Sequence, residues 1–200
     1  MYVGRGGGKM LFLKASDGKI NQRECIELDH GIWKGKMGRD TYISIREAEP
    51  KDAERICACL RAAFEPYRAA YTTGAFEDTV PTTAGIVARF ASMRIFVACD
   101  ESDEVLGTIA CGVTEGEGHL RGMAVLSRLQ GRAVAARLLA AAEAALQEQE
   151  CPRVTLDTTA PLVRAIGFYE RHGYSRSGKV TDFYGMPLYE FAKSLRNSGA

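Results

Sequence analysis

Residues 118–146 read GHLRGMAVLSRLQGRAVAARLLAAAEAAL, which predicts a strand, a turn with one central glycine and a helix rich in Ala and Leu. Apolar residues recur at intervals of three to four in the second half, so one stripe of this helix is expected to face a core. The stripe consists of Val134, Leu138, Ala141, Ala142 and Ala145.

The turn before this helix has the composition of an anion-binding site. The first N–H groups of a helix lack internal partners, and the helix dipole adds partial positive charge there. Small residues at Gly131, Ala133 and Ala135 would let a diphosphate approach the backbone closely. Many α/β proteins have such a turn and bind nothing at it, so the flanking sequence must decide between the two interpretations.

Length and charge restrict the class of protein. The 200 residues suit one domain with an appended segment. A formal net charge of +1 gives no reason to expect nucleic acid or an anionic membrane as a partner. No apolar run approaches the ~20 residues that span a bilayer, and the N-terminus lacks a hydrophobic signal core. We therefore expect a cytoplasmic protein.

The cysteines show no C-x-x-C spacing and stand among apolar residues. This pattern favours buried, reduced thiols over a metal site or a disulfide framework, so no metal is expected. The six are Cys25, Cys57, Cys59, Cys99, Cys111 and Cys151.

Residues 1–40 differ from the rest and are predicted to be a flexible extension. The segment begins with a glycine-rich stretch, and its first 36 residues carry seven basic and four acidic side chains. Residues 11–20 could form a hairpin around Asp17-Gly18. Met37 stands just before the first convincing strand, which suggests that the natural chain starts there and that residues 1–36 are extra translated sequence. Intact mass of the native protein would test this.

From Thr41 the patterns predict an α/β domain, 41–200, with a mixed, mostly antiparallel sheet flanked by helices. The order is β-α-α-β-β-β-α-β-α-β-β. A turn-rich stretch over residues 66–82 follows the first helix, and Ile86, Val87 and Phe90 should point inward from the second. The remaining strands are predicted at 94–100, 104–115, 118–125, 153–159, 174–180 and 187–195, with a helix at 161–173.

Three motifs in this order resemble the GNAT superfamily of N-acetyltransferases, over about Thr41 to Leu195. Met123-Ala124-Val125 leads into the QGRAVA loop of residues 130–135, which resembles the family's acyl-CoA loop. Residues 165–174, AIGFYERHGY, resemble the end of a family helix, and residues 185–195 resemble its last strand. One departure is Ala133, where the family has a glycine. A negative φ at the helix start would accommodate the extra methyl group, so we expect the phosphate site to survive.

The resemblance implies acetyl-CoA as co-substrate. Its diphosphate would lie on the loop backbone, its pantetheine arm would pair with the preceding strand as an added strand would, and two arginines would contact phosphate oxygens. The implied binding residues are Met123, Ala124, Val125, Arg128, Gln130, Gly131, Arg132, Ala133, Val134 and Ala135.

The resemblance also implies the catalytic groups. Tyr169 matches the family tyrosine near the coenzyme sulfur, where its hydroxyl could act as general acid; the alternative is a core aromatic residue. His119 stands where several relatives keep a glutamate that activates the amine, and Glu117 is the alternative base on the same side of the strand. The N–H of Met123 or Ala124 would donate to the thioester oxygen.

The acceptor pocket is expected to be built from Tyr67, Tyr71, Asp78 and Tyr184, which would suit a small cationic amine or an amino acid. The leading interpretation is an N-acetyltransferase that acts on a primary amine, in a small molecule or a protein, by direct attack in a ternary complex. A non-catalytic acyl-CoA sensor is the alternative from another class. An acyl-enzyme on a cysteine such as Cys111 is disfavoured because no base is paired with one. A homodimer is possible.

Overall fold

The computed structural model describes residues 33–37 and 41–195, and these form one sheet of eight strands in the order β1-β2-β3-β4-β5-β6-β8-β7. The strands are β1 Trp33–Met37, β2 Thr41–Glu47, β3 Arg94–Cys99, β4 Val105–Thr114, β5 Glu117–Val125, β6 Arg153–Thr159, β7 Ser175–Phe183 and β8 Met186–Ser194. The helices are α1 Ala53–Phe64, α2 Thr73–Thr79, α3 Thr83–Arg89, α4 Val134–Gln147 and α5 Val163–Arg171.

Within the sheet, β5 and β6 are parallel and every other neighbouring pair is antiparallel. The parallel pair follows from the connection, because α4 crosses over between these two strands. The predicted α/β class with a mixed, mostly antiparallel sheet is therefore confirmed.

Helices cover both faces of the central strands. Helix α4 packs against β3, β4 and β5, and a Cβ atom on Gly107 of β4 would lie 3.0 Å from Leu138 of this helix. On the opposite face of β4, Gly112 faces Met93, which follows α3. Four residues of the predicted stripe of α4 are buried, namely Val134, Leu138, Ala142 and Ala145, and Ala141 is partly buried. Leu139, which the predicted stripe did not include, is also buried.

Three sequence-based expectations for the fold are wrong. Regular structure begins before Thr41, because Trp33–Met37 pairs with β2 as an antiparallel strand. The turn-rich stretch contains α2, whose N-cap Thr72 accepts a hydrogen bond from the Ala75 N–H. Val87 of α3 is 46% exposed rather than buried. The predicted hairpin at residues 11–20 and the extension before residue 33 lie outside the described residues.

An ion cluster around the buried Asp52 joins β2, α1 and the β3–β4 turn. Asp52 is fully buried and accepts hydrogen bonds from Arg46 at 2.7 Å, Arg55 at 2.6 Å and the Glu49 N–H at 2.9 Å. Asp103 binds both guanidinium groups at 2.8 Å. The hydrogen bond from Arg46 is the main reason that the pKa of Asp52 falls from 3.8 to about 2. This cluster fixes the start of α1 against the sheet.

Candidate active site

The site is a gap within the sheet where β5 and β6 separate. The two strands pair only over Gly118–Leu120 and Val154–Leu156, so beyond Leu120 the β6 side of β5 has no strand partner in the described sheet. A cavity of about 980 Å³ occupies the gap and its two mouths. Since sheet backbone groups normally pair, the free edge of β5 can accept an extended ligand as an added strand.

A β-bulge shapes this edge. The pairing of β5 with β4 shifts register between Arg121 and Ala124, which takes Gly122 and Met123 out of the ladder. Gly122 has φ +63°, the left-handed conformation typical of a glycine at a bulge. The bulge turns Met123 and its backbone toward the cavity, whose wall contains Met123, Ala124 and Val125.

The loop at one mouth of the cavity has the geometry expected of a phosphate cradle. Among the described residues, the N–H groups of Gly131 and Ala133 have no hydrogen-bond acceptor, and those of the first turn of α4 have none within the helix. Gly131 has φ +79°, and the position of its absent Cβ lies in open space. Several unpaired donors therefore follow one another along this loop, beside open space that an anion can fill.

Ala133 corrects the expectation of a negative φ at this position. It is the N-cap residue of α4 and has φ +57° and ψ 2°, in the left-handed region. An L-residue in this conformation is strained by roughly 1–2 kcal/mol relative to a right-handed one. The backbone at Ala133 thus has a conformation that is usual for glycine, although the residue is alanine. Such outliers cluster at binding sites, where the backbone direction matters more than local stability.

The predicted phosphate contacts divide into residues that line the cavity and residues that do not. Gln130, Gly131, Ala133, Val134 and Ala135 belong to its wall. The remaining two, Arg128 and Arg132, lie outside the wall, and Arg128 forms an ion pair with Glu104 at 2.9 Å.

One arginine of the cavity wall was not expected from the sequence. Arg164 of α5 lies in the wall and donates to Gln130 Oε1 at 2.9 Å. It therefore connects α5 with the loop of residues 130–135 across the gap. No local motif marks this residue, since it meets the loop only through the fold.

Tyr169 of α5 is buried at the centre of the cavity wall. Its hydroxyl donates to Met123 Sδ at 3.3 Å, which aims the group at the bulged segment of β5. Burial raises the pKa of this phenol, so it is protonated at neutral pH and able to donate. The ring also contacts Phe168 and Tyr174 edge to face, at 5.5 and 5.7 Å between centroids. It therefore has both the position of the predicted acid and the packing of a core residue.

His119 lies where β5 and β6 begin to separate, beside the carboxylate of Asp157. Its Nδ1 is 3.0 Å from Thr155 Oγ1, and its Nε2 is 3.7 Å from Asp157 Oδ2. Burial lowers the pKa of His119 and raises the pKa of Asp157. The imidazole is therefore held largely neutral near pH 7, the form that can accept a proton.

Glu117, the alternative base, lies outside the cavity wall. Both of its carboxylate oxygens accept from Arg153 Nη1, at 2.9 and 2.7 Å. Asp157 was missed, because the sequence shows only a charge in the middle of a strand and does not show that it lies beside His119.

All four predicted acceptor residues belong to the cavity wall, and we call the part of the wall that they form the second mouth: Tyr67, Tyr71, Asp78 and Tyr184. Tyr71 bonds through its hydroxyl to Thr159 Oγ1 at 2.6 Å. The carboxylate of Asp78 forms an ion pair with Arg121, a contact that the sequence did not predict.

A short bridge between α2 and the β7–β8 hairpin covers this mouth. Tyr184 and Gly185 form the two-residue turn with φ +52° and +84°, both in the left-handed region. The carbonyl of Tyr184 accepts from Thr72 Oγ1 at 2.9 Å, and its ring packs on Gly74, where a Cβ would lie 2.7 Å from Tyr184 Cδ1. The aromatic ring therefore requires a glycine beneath it.

The sheet is split at a bulged strand, with the loop of residues 130–135 at one mouth and the Tyr169 hydroxyl beside the split, and this fold matches an acetyltransferase family. The model of the Acetyltransferase (GNAT) family matches residues 55–174, which is more than half of the chain. The chain belongs to this family, whose members generally depend on acyl-CoA.

Solved structures share the fold. An acetyltransferase of the GNAT family from Staphylococcus aureus Mu50 aligns with a TM-score of 0.63 at 15% identity, over 77% of this chain and 99% of the other. The PaiA N-acetyltransferase from Thermoplasma acidophilum, in complex with coenzyme A, gives 0.64 at 16%, over 76% and 98%. A GNAT acetyltransferase from Streptococcus pneumoniae gives 0.59 at 18%, over 76% and 98%. The comparison with curated protein sequences finds no match.

Membrane-spanning helices and metal-binding clusters are both absent from the described ranges 33–37 and 41–195. None of the helices there has the length and apolarity needed to cross a bilayer. No cluster of three or more His, Cys, Asp or Glu side chains there is arranged to hold a metal ion.

Proposed function

We propose that the protein transfers the acetyl group of acetyl-CoA to a primary amine by direct attack within a ternary complex. The observation that carries this proposal is a cavity whose wall contains residues of β5, β6, α5 and the loop of residues 130–135. One mouth has unpaired loop N–H groups, and the other has aromatic and charged side chains. Between them, where β5 and β6 separate, lie the Tyr169 hydroxyl and the His119 imidazole. Two substrates can therefore enter from opposite sides and meet at the bulge of β5.

Acetyl-CoA, when bound, supplies the activated acyl group as a thioester. The loop N–H groups of Gly131 and Ala133, together with the first turn of α4, would hold the diphosphate. Arg164 is a better candidate than Arg128 for an added phosphate contact, because Arg164 lines the cavity and Arg128 is paired with Glu104. The free edge of β5 from Met123 to Val125 would pair with the amides of the pantetheine arm.

The proposed reaction exchanges one bond for another without a change of oxidation state. The amine nitrogen forms a bond to the carbonyl carbon of the acetyl group, and the bond from that carbon to the CoA sulfur breaks. The ammonium form of the acceptor gives up one proton before attack, and the adduct loses a second proton. One proton is gained by the departing thiolate. The products are an N-acetylated amine and CoA with a free thiol.

His119 is the proposed base and Tyr169 the proposed acid. A buried imidazole with a lowered pKa is neutral at pH 7 and can accept a proton from the ammonium, directly or through water. Asp157 lies 3.7 Å from His119 Nε2 and would stabilise the imidazolium that forms. Tyr169 retains its proton and can donate a hydrogen bond to the sulfur as negative charge develops. The N–H of Met123, outside the β4 ladder, is the proposed donor to the thioester oxygen.

A cysteine acyl-enzyme is a poor alternative in this structure. Cys111 is fully buried, lies outside the cavity wall, and has its pKa raised to about 11 by desolvation. A thiol with these properties is a weak nucleophile. The non-catalytic acyl-CoA sensor stays the alternative from another class, since it would use the same cavity without turnover.

The test is thermal unfolding with acetyl-CoA, with NAD as the control ligand. Ligand at a hundred times its Kd adds about 2.7 kcal/mol of stability, and we expect this shift with acetyl-CoA alone. The variant Gly131→Val should lose it, because a β-branched residue at φ +79° distorts the loop and fills the open space before the N–H groups.

A screen of amines with thiol release as readout then separates enzyme from sensor. Absence of any acetyl-CoA shift in the wild-type protein would refute the proposal. A shift without turnover of any amine would favour the sensor.

A further inference from the structure

The acceptor mouth holds two arginines around one aspartate. The Asp78 carboxylate forms its ion pair with Arg121. Arg89 of α3 also lines the cavity, but it reaches only the backbone carbonyl of Asp78, at 3.4 Å. Among the residues that the structure describes, no carboxylate lies within 4 Å of Arg89. The other acid of the wall, Asp157, lies beside His119.

Arg89 therefore sits in an unfavourable electrostatic environment. Its guanidinium is partly buried, and its pKa is lowered by desolvation and by the positive charge of Arg121, which the negative charge of Asp78 offsets only in part. Buried charges in proteins are normally paired, because an unpaired one loses its hydration without compensation. An anion bound here would neutralise the charge of Arg89. A carboxylate fits best, because its two oxygens can each accept a hydrogen bond from the planar guanidinium.

The position of Arg89 relates such an anion to the reacting centre. A Cβ atom on Gly122 would lie 3.0 Å from Arg89 Nη1, so the guanidinium lies directly over the bulge of β5. The next residue, Met123, contributes the proposed N–H donor and contacts the Tyr169 hydroxyl. A group bound by Arg89 is thus held close to the point where an acceptor nitrogen must attack.

We propose that the acceptor is a small amine that carries a carboxylate, and that Arg89 binds this carboxylate. The proposal rests on the proposed N-acetyltransferase function and narrows its substrate class to amino acids. The transfer step is unchanged: the amine attacks while the carboxylate is anchored beside Gly122. The aromatic side chains of Tyr67, Tyr71 and Tyr184 would then face the remainder of the acceptor.

The test uses matched acceptors and two variants. The acceptors are α-, β- and γ-amino acids, their carboxamides and the corresponding amines without the carboxyl group, each assayed by thiol release from acetyl-CoA. The variants are Arg89→Gln and, as control, Arg61→Gln, an exposed arginine of α1 outside the cavity wall. Loss of one charge-assisted contact predicts a fall of about 10- to 100-fold in kcat/KM for an amino acid. The carboxamides and plain amines should be poor substrates and should respond little to Arg89→Gln.

The outcomes separate this inference from the proposed function. The inference is supported if Arg89→Gln lowers the turnover of amino acids and Arg61→Gln does not. The acetyl-CoA thermal shift should be unchanged in both variants. Equal or better turnover of carboxamides or plain amines overturns it while the acetyltransferase proposal stands. Binding of acetyl-CoA without turnover of any amino acid also overturns it. A wild-type protein that fails to bind acetyl-CoA refutes the proposed function itself.

Discussion

Replacement of Ala133 by glycine should stabilise this protein, although glycine at a helix usually has the opposite effect. Ala133 begins α4 with φ +57°, a conformation that glycine adopts without a steric cost. The variant removes one methyl group and leaves the N–H in place. We therefore expect a more stable fold with the acetyl-CoA thermal shift preserved.

The magnitude follows from two opposing terms. The left-handed conformation costs an L-residue roughly 1–2 kcal/mol. Glycine loses about 0.5–1 kcal/mol more backbone entropy on folding than alanine does. The balance is a gain of roughly 0–1.5 kcal/mol, and its central value of about 0.75 kcal/mol raises the Tm of a domain of this size by about 1.5–3 °C.

The matched control is Ala140→Gly in the middle of the same helix. Ala140 is exposed, has a right-handed helical neighbourhood, and should lose about 1 kcal/mol on substitution. Urea and thermal unfolding of both variants would show stability changes of opposite sign. If Ala133→Gly destabilises the protein as much as Ala140→Gly does, the left-handed conformation at Ala133 does not exist in solution and the strain argument fails.

Three other predictions concern single side chains. Tyr169→Phe should lower kcat at least tenfold and leave the Tm nearly unchanged, since it removes only the hydroxyl; full activity would exclude the acid role. As pH falls, kcat/KM should fall with a midpoint below pH 6.5, because burial lowers the pKa of His119. Asp157→Asn should move this midpoint to a still lower pH, because it removes a negative charge that favours the imidazolium. A midpoint that moves to higher pH in Asp157→Asn would contradict this. Asp52→Asn should cost about 2 kcal/mol of unfolding free energy at pH 7, because the pKa of Asp52 lies near 2 in the folded protein against 3.8 when unperturbed. Since the unfolded chain takes up this proton first, the difference should be lost as pH falls from about 4 to 2, and urea titrations across that range would reveal it.

Much of the sheet and its helices follows from local patterns. The stripe on α4 and the alternation in the strands are properties of consecutive residues, so the sequence alone predicts them. Helix α2 was missed because TGAFEDT contains few good helix formers; a Thr72 cap and burial of Phe76 stabilise it instead. Strand β1 was missed because WKGKM is only five residues long and has a glycine at its centre, a residue that is depleted in strands; its pairing with β2 defines it.

The candidate site divides in the same way. The loop of residues 130–135 and Tyr169 belong to contiguous motifs, so a resemblance could identify them. Asp157 and Arg89 could not be assigned from the sequence, since each becomes relevant only through a neighbour distant along the chain. The conformation of Ala133 was also beyond prediction, because the loop as a whole, rather than the preference of alanine, imposes it.

The separation of β5 from β6 also bears on aggregation. An unpaired strand edge on the outside of a sheet can pair with other chains and promote aggregation. Here the unpaired edge begins beyond Leu120 and lies between two strands that stay paired at one end, so it is an internal edge of the sheet. Another polypeptide strand would have to enter between β5 and β6 to reach it. The split therefore supplies free backbone groups for a ligand without adding an outer edge to the sheet.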